Sequence, residues 1–163
     1  VGIFFPKDLG DAMAGRVRFL DESHSVIFTD KGIQFFSTRV ETSPELVSQI
    51  PIEENIRSIT YARDKVGIVT DNVEGGDPYK LRIYDREGSP VFEKTFNYQY
   101  TGFDIDGDLV LLYNDSSCKV YNMTGTEKYN GTFDFTVSKV SAGRFPGTLL
   151  VMGPQKMTEI KLQ

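Results

Sequence analysis

The chain has 163 residues, 39% hydrophobic and 25% charged, which is enough length and apolar content for one buried core and unlike a disordered segment. Its formal net charge of -5 works against long-range attraction to nucleic acid or an anionic membrane, and its apolar runs are far too short to span a bilayer. Cys118 is the single cysteine, so neither an intrachain disulfide nor a zinc site built on several cysteines can form.

The chain begins at Val1 without a methionine, which leaves room for an upstream leader or anchor. Residues 1–6, "VGIFFP", read as a short apolar strand, and 7–15, "KDLGDAMAG", as a linker. Beyond them four apolar runs recur: "SVIF" (25–28), "VGIV" (66–69), "LVLL" (109–112) and "TLLVM" (148–152). Each is apolar at consecutive positions, the mark of a strand buried on both faces. Each follows a polar turn ("DESH", "ARDK", "DIDGD", "GRFPG"), and alternating segments such as "VRFL" and "IRSITY" precede the turns. Between the first and second runs, "SPELVSQI" (43–50) has helix-start chemistry in Ser43 and Pro44 but is short, and is read as a loop turn at most.

After the second run comes "LRIYDREGSPVFEKTF", and after the third "KVYNMTGTEKYNGTF". Tyr84 aligns with Tyr121, Asp85 with Asn122 and Gly88 with Gly125, each pair 37 apart. Strand, turn ending in glycine, strand is a hairpin pattern, because glycine supplies the positive φ such turns need. The fourth repeat offers "MTEIKLQ" as its third strand and then stops. A period of 40 to 43 residues with four short strands per unit predicts an all-β chain of β-propeller type. A β-sandwich would show one-sided alternation without such a period. The reading is one domain over 1–163, with four blades near 17–55, 56–100, 101–136 and 137–163, each of four short antiparallel strands. An open sheet edge invites aggregation, so residues 2–5 are expected to close the last blade as its outer strand, pairing near 157–162. The rival is that the four blades are part of a larger propeller.

With "IYDREG" and "VYNMTG" at the third turn, the pattern resembles the blades of WD40-like and quinoprotein-like β-propellers from about Val17 onward. It departs from them in having no tryptophan, hence no Trp-Asp dipeptide. A looser resemblance is to bacterial propeller domains held outside the membrane by an upstream anchor, which implies an extracytoplasmic or membrane-anchored location.

In "GFDIDGDLVLLYND" (102–115), Asp104, Asp106 and Asp108 fill the first three ligand positions of a calcium loop of the helix-loop-helix kind. Position six is Leu109 rather than glycine, position twelve is Asp115 rather than glutamate, and the residues between belong to a doubly buried strand. A hairpin turn at Asp106-Gly107 is the stronger reading. His24, the only histidine, is expected as a solvent-exposed turn residue, and Cys118 as a partly buried, inert thiol. The triplets at Asn114, Asn122 and Asn130 would carry glycans only in a secreted eukaryotic chain. The stretch "DNVEGGDPYK" (71–80) exceeds its counterpart by about seven residues, either a mobile insertion or a recognition loop.

No phosphate loop, dinucleotide fingerprint or nucleophile elbow is present, and no catalytic, cofactor-binding or metal residue is assigned. The leading expectation is a non-enzymatic binding or scaffolding module with a protein or peptide partner and no cofactor, nucleic acid or direct membrane insertion. The alternatives are a carboxylate-dependent, glycosidase-like hydrolase of propeller fold and a calcium-stabilised structural domain.

Overall fold

A computed structural model of the chain describes residues 14–38 and 43–163. The expected closing strand at residues 2–5 lies outside them. The described residues form fifteen strands in four sheets, and every strand pair is antiparallel.

Sheet 1 holds β1 (Ala14–Phe19), β2 (His24–Thr29), β3 (Gly32–Ser37) and β4 (Glu45–Pro51), in that spatial order. Sheet 2 holds β5 (Ile56–Tyr61), β6 (Lys65–Asp71), β7 (Tyr79–Asp85) and β8 (Pro90–Phe96). Sheet 3 holds β9 (Gly102–Asp106), β10 (Leu109–Tyr113), β11 (Ser117–Asn122) and β12 (Glu127–Thr132). Sheet 4 has three strands among the described residues: β13 (Lys139–Ala142), β14 (Thr148–Met152) and β15 (Met157–Lys161). This is a four-bladed, propeller-like arrangement of meandering sheets.

The four apolar runs lie in β2, β6, β10 and β14, the second strand of each sheet. β2, β6 and β10 are buried at consecutive positions, as strands covered on both faces must be, whereas β14 departs from that expectation: only Leu149 and Val151 are buried, on the face turned to sheet 3. Val26, Phe28, Ile33 and Phe35 of sheet 1 meet Val66, Ile68 and Tyr84 of sheet 2. On the other face of sheet 2, Val69, Leu81 and Ile83 meet Ile105, Val110, Leu112 and Tyr121 of sheet 3. Leu111, Cys118 and Val120 then meet Val140, Leu149 and Val151 of sheet 4. Residues one apart in a strand point to opposite faces, so among the described residues the middle strands of sheets 2 and 3 feed two cores each, while those of sheets 1 and 4 feed one.

The third-turn alignment holds atom by atom. Asp85 Oδ1 accepts from the backbone N–H of Glu87 and Ser89 at 2.9 Å each; Asn122 Oδ1 accepts from Thr124 at 3.0 Å and Thr126 at 2.9 Å. Gly88 and Gly125 take φ of 86° and 77°. Each turn rests on the preceding sheet: a Cβ at Gly88 would lie 2.8 Å from Phe35 and Ser48, and one at Gly125 3.2 Å from Phe92.

Two expectations change here. Residues 43–50 are not a loop turn, because β4 runs from Glu45 to Pro51 and pairs with β3. Pro44 precedes the strand and the edge position leaves most side chains exposed, so the segment lacks the apolar runs of inner strands. At the DGD turn the two linking residues are Gly107 and Asp108, with Asp106 paired to Leu109. Gly107 has φ +58° and among the described residues no non-glycine residue has positive φ, the pattern of a turn with glycine at its first central position.

Candidate functional site

Three of the four sheets begin with a strand that touches its neighbour's first strand or the linker before it. Between sheets 3 and 4 the contact is polar. Lys139 Nζ reaches Asp104 Oδ2 at 3.2 Å, and the Ala142 N–H donates to Asp106 Oδ2 at 2.8 Å. Two of the three carboxylates that suggested calcium, Asp104 and Asp106, therefore fasten β9 to β13, and Asp108 lies in the turn. Among the described residues no group of three or more His, Cys, Asp and Glu side chains converges to hold a metal ion. Between sheets 2 and 3, the Ser58 and Tyr100 hydroxyls share a hydrogen bond of 2.6 Å.

The seam between β1 and β5 is different: an open cleft lies at each end. One, of about 570 Å³, is bordered by Phe19, Leu20, Glu22, Tyr61, Ala62 and Arg63. The other, of about 580 Å³, is bordered by Arg16, Phe28, Asp30, Arg57, Ser58 and Ile59. Between them the Arg18 guanidinium lies over the Tyr61 ring, 5.5 Å from its centroid. Arg16 and Arg18 stand opposite Phe28 and Val26, both in the sheet 1–sheet 2 core, so they point toward sheet 2. Arg57 is an extra residue of β5, bulged between the pairs Ile56–Thr70 and Ser58–Val69, and it pairs with Asp71 at 2.6 Å. Phe19 and Tyr61 end their strands at the cleft mouth with 61% and 47% of their surface exposed.

Beneath that mouth lies His24, only 12% exposed and therefore not the solvent-facing turn residue its neighbours in sequence suggest. Its Nδ1 meets the Asp21 carboxylate at 3.0 Å and the Ser23 hydroxyl at 2.9 Å, and its Nε2 stands 3.8 Å from Glu87. Asp21 also accepts from the backbone N–H of Ser23 and His24 and from Arg86 at 2.8 Å, a link from sheet 1 to the third turn of sheet 2. Burial opposes ionisation of Asp21, but the hydrogen bonds from Ser23, His24 and Arg86 outweigh it and hold the carboxyl well below the usual range. Ser23 and Asp21 both address the same ring nitrogen, so this is a turn cap rather than a nucleophile–base–acid relay.

The insertion contributes a second groove. Residues 72–78 link β6 to β7, and Asn72 organises them: its Nδ2 donates to the carbonyls of Gly75 at 3.1 Å and Asp77 at 2.8 Å. Glu74 reaches Lys80 at 3.4 Å and Asp77 accepts from Thr95 at 3.0 Å, so the loop is tied down rather than mobile. With Val73, Pro51, Glu53, Glu54 and Arg82 it walls a groove of about 490 Å³. Arg82, nearly buried, donates to Glu54 and stands 3.6 Å from Glu93. Burial raises the Glu54 carboxyl, but its own backbone N–H and Arg82 bring it below its ordinary value.

Cys118 is fully buried and burial pushes its thiol up to about 12, so it is more deeply enclosed than expected and no nucleophile. Asn114 caps its own turn through Ser116 and Ser117 and donates to Gln99 O at 2.8 Å. The triplets at Asn114 and Asn122 thus reflect turn chemistry.

A family profile described as a family of unknown function (DUF5711) matches residues 1–162. The chain belongs to the DUF5711 family. No curated protein is a significant match to this DUF5711 chain. Among solved structures it is similar to the computationally designed Ika4 protein, with a TM-score of 0.56 at 9% identity, covering 98% of this chain and 100% of that one. It is also similar to Kluyveromyces lactis Hsv2, with a TM-score of 0.53 at 10% identity, covering 94% of this chain and 47% of that one. A third is BBS1N, solved in complex with ARL6DN, with a TM-score of 0.50 at 12% identity, covering 87% of this chain and 50% of that one. The DUF5711 chain spans about half the length of Hsv2 and BBS1N. At such identities these likenesses establish the propeller-like fold.

Proposed function

We propose that the protein is a non-enzymatic binding module whose partner, a protein or peptide, seats along the β1–β5 seam. The observation that carries this reading is the pair of exposed aromatic rings, Phe19 and Tyr61, at the mouth of a concave cleft with arginines beside them. Aromatic and arginine side chains are enriched among the residues that carry most of the energy at protein interfaces: a ring buries much surface at little cost in freedom, and a guanidinium adds several hydrogen bonds. The buried carboxylate at the cleft serves another end: Asp21 is bonded by Ser23, His24 and Arg86 and held ionised, which suits a turn cap and not a proton donor. The likeness to BBS1N, solved with ARL6DN, supports a fold that presents its surface to a protein. An extracytoplasmic or membrane-anchored setting is part of this proposal; its support is the loose sequence resemblance, and fractionation of the source cells tests it.

Selection of a random peptide library on the folded protein tests the binding reading. Enriched peptides should bind at least tenfold more weakly to Phe19→Ser and Tyr61→Ser variants whose circular dichroism is unchanged. Enriched peptides indifferent to both substitutions would place binding elsewhere and refute this site.

A further inference from the structure

Three arginines along the β1–β5 seam lack a carboxylate. Arg57, Arg82 and Arg86 form ion pairs with Asp71, Glu54 and Asp21, whereas among the described residues Arg16, Arg18 and Arg63 take part in none. Cations outside ion pairs occur elsewhere, Arg144 among them, but the chain is acidic, with 23 acidic and 18 basic residues, and three arginines free of carboxylates along one seam form a local excess of positive charge. Arg16 borders one cleft, Arg63 the other, and Arg18 stands between them against Tyr61. Of the two carboxylates that border the cleft with Arg63, Asp21 is taken up by Arg86, Ser23 and His24, and Glu22 is exposed.

We infer that the occupant of this seam is an extended, acidic segment of a partner protein, with carboxylates on Arg16, Arg18 and Arg63 and apolar side chains against Phe19 and Tyr61. This rests on the binding function proposed above and names its partner's chemistry. Guanidinium groups take carboxylates in a two-pronged geometry, and an unpaired arginine in a concave wall is poised to do so. The two clefts lie at opposite ends of the same pair of adjacent strands, with Arg18 between them, so a segment that occupies both must lie along β1. A strand advances roughly 3.3 Å per residue, so Arg16 to Leu20 accommodates about five residues of extended chain. A bilayer surface, by contrast, would meet only the rim.

Fluorescence anisotropy with three labelled eight-residue peptides tests this, alternating leucine with glutamate, lysine or serine. The glutamate peptide should bind the full chain, more tightly as salt is lowered, and at least tenfold better than the lysine peptide. Arg16→Glu with Arg63→Glu, both at exposed positions, should weaken the glutamate peptide at least tenfold and strengthen the lysine peptide. Arg18→Gln, which keeps the size but not the charge, should weaken the glutamate peptide as well. Unchanged melting temperatures would confirm that these variants are folded. No binding of the glutamate peptide at millimolar concentration, or equal binding of all three, overturns the acidic-partner inference. If the serine peptide binds and loses affinity on Phe19→Ser or Tyr61→Ser, the binding function stands and the acidic specificity falls. Arginine-dependent sedimentation with phosphatidylglycerol vesicles, without peptide binding, would also overturn it.

Discussion

Asp21 gathers donors from its own turn, from His24 and from Arg86 on the next sheet, so one carboxylate fixes both a turn and a seam. Its pKa is depressed in the folded chain; the stability it contributes is therefore complete above the unfolded value near 4 and is lost as pH falls below it. The melting temperature should fall from pH 5 to pH 3, and Asp21→Asn should lower it at pH 7 by the equivalent of about 2 kcal/mol while flattening that acid dependence. Thermal melts across pH check both; an acid slope unchanged in Asp21→Asn would contradict this role. Cys118 makes a simpler case. Its thiol, fully buried and raised to about 12, should resist iodoacetamide in the native protein at pH 8 and react at once in denaturant. Gly88 joins a positive φ to a neighbour 2.8 Å from where a Cβ would sit, so Gly88→Ala should cost about 1–3 kcal/mol in denaturant titrations.

The second strand of each sheet was written plainly in the sequence, because residues such as Val66, Ile68 and Val69 must be apolar on both faces. The third turn was legible for a similar reason: Asp85 with Gly88 and Asn122 with Gly125 repeat a specific backbone need. β4 was not, since an edge strand answers to solvent on most positions and carries no run to read. His24 misled in the opposite direction. A polar turn in sequence became a largely enclosed ring once the third turn of sheet 2 folded against it, a contact between residues 24 and 87 that no local pattern announces. The seam's arginines were equally silent, because their meaning depends on which sheets face each other. The inserted loop offers a test at this scale. With Asn72 as its organiser, Asn72→Ala should speed amide exchange across residues 73–77 while changing global stability by less than about 1 kcal/mol. Unaltered exchange in the loop would show that other contacts hold it.

As a whole the molecule stacks four sheets through three shared cores, and sheet 4 has one strand fewer than the rest among the described residues. The three sheet-to-sheet cores leave the inner seams as the surfaces on which the blades differ. β5, β9 and β13 are drawn together by Ser58–Tyr100, Asp104–Lys139 and Asp106–Ala142, while β1 and β5 meet through Arg18 and Tyr61 with a cleft on either side. The most direct test of the account is amide chemical-shift mapping with a library-selected peptide. Shifts concentrated in residues 15–22 and 56–63 are predicted; shifts concentrated in residues 72–78 or on the outer strands, with that seam unmoved, would contradict it.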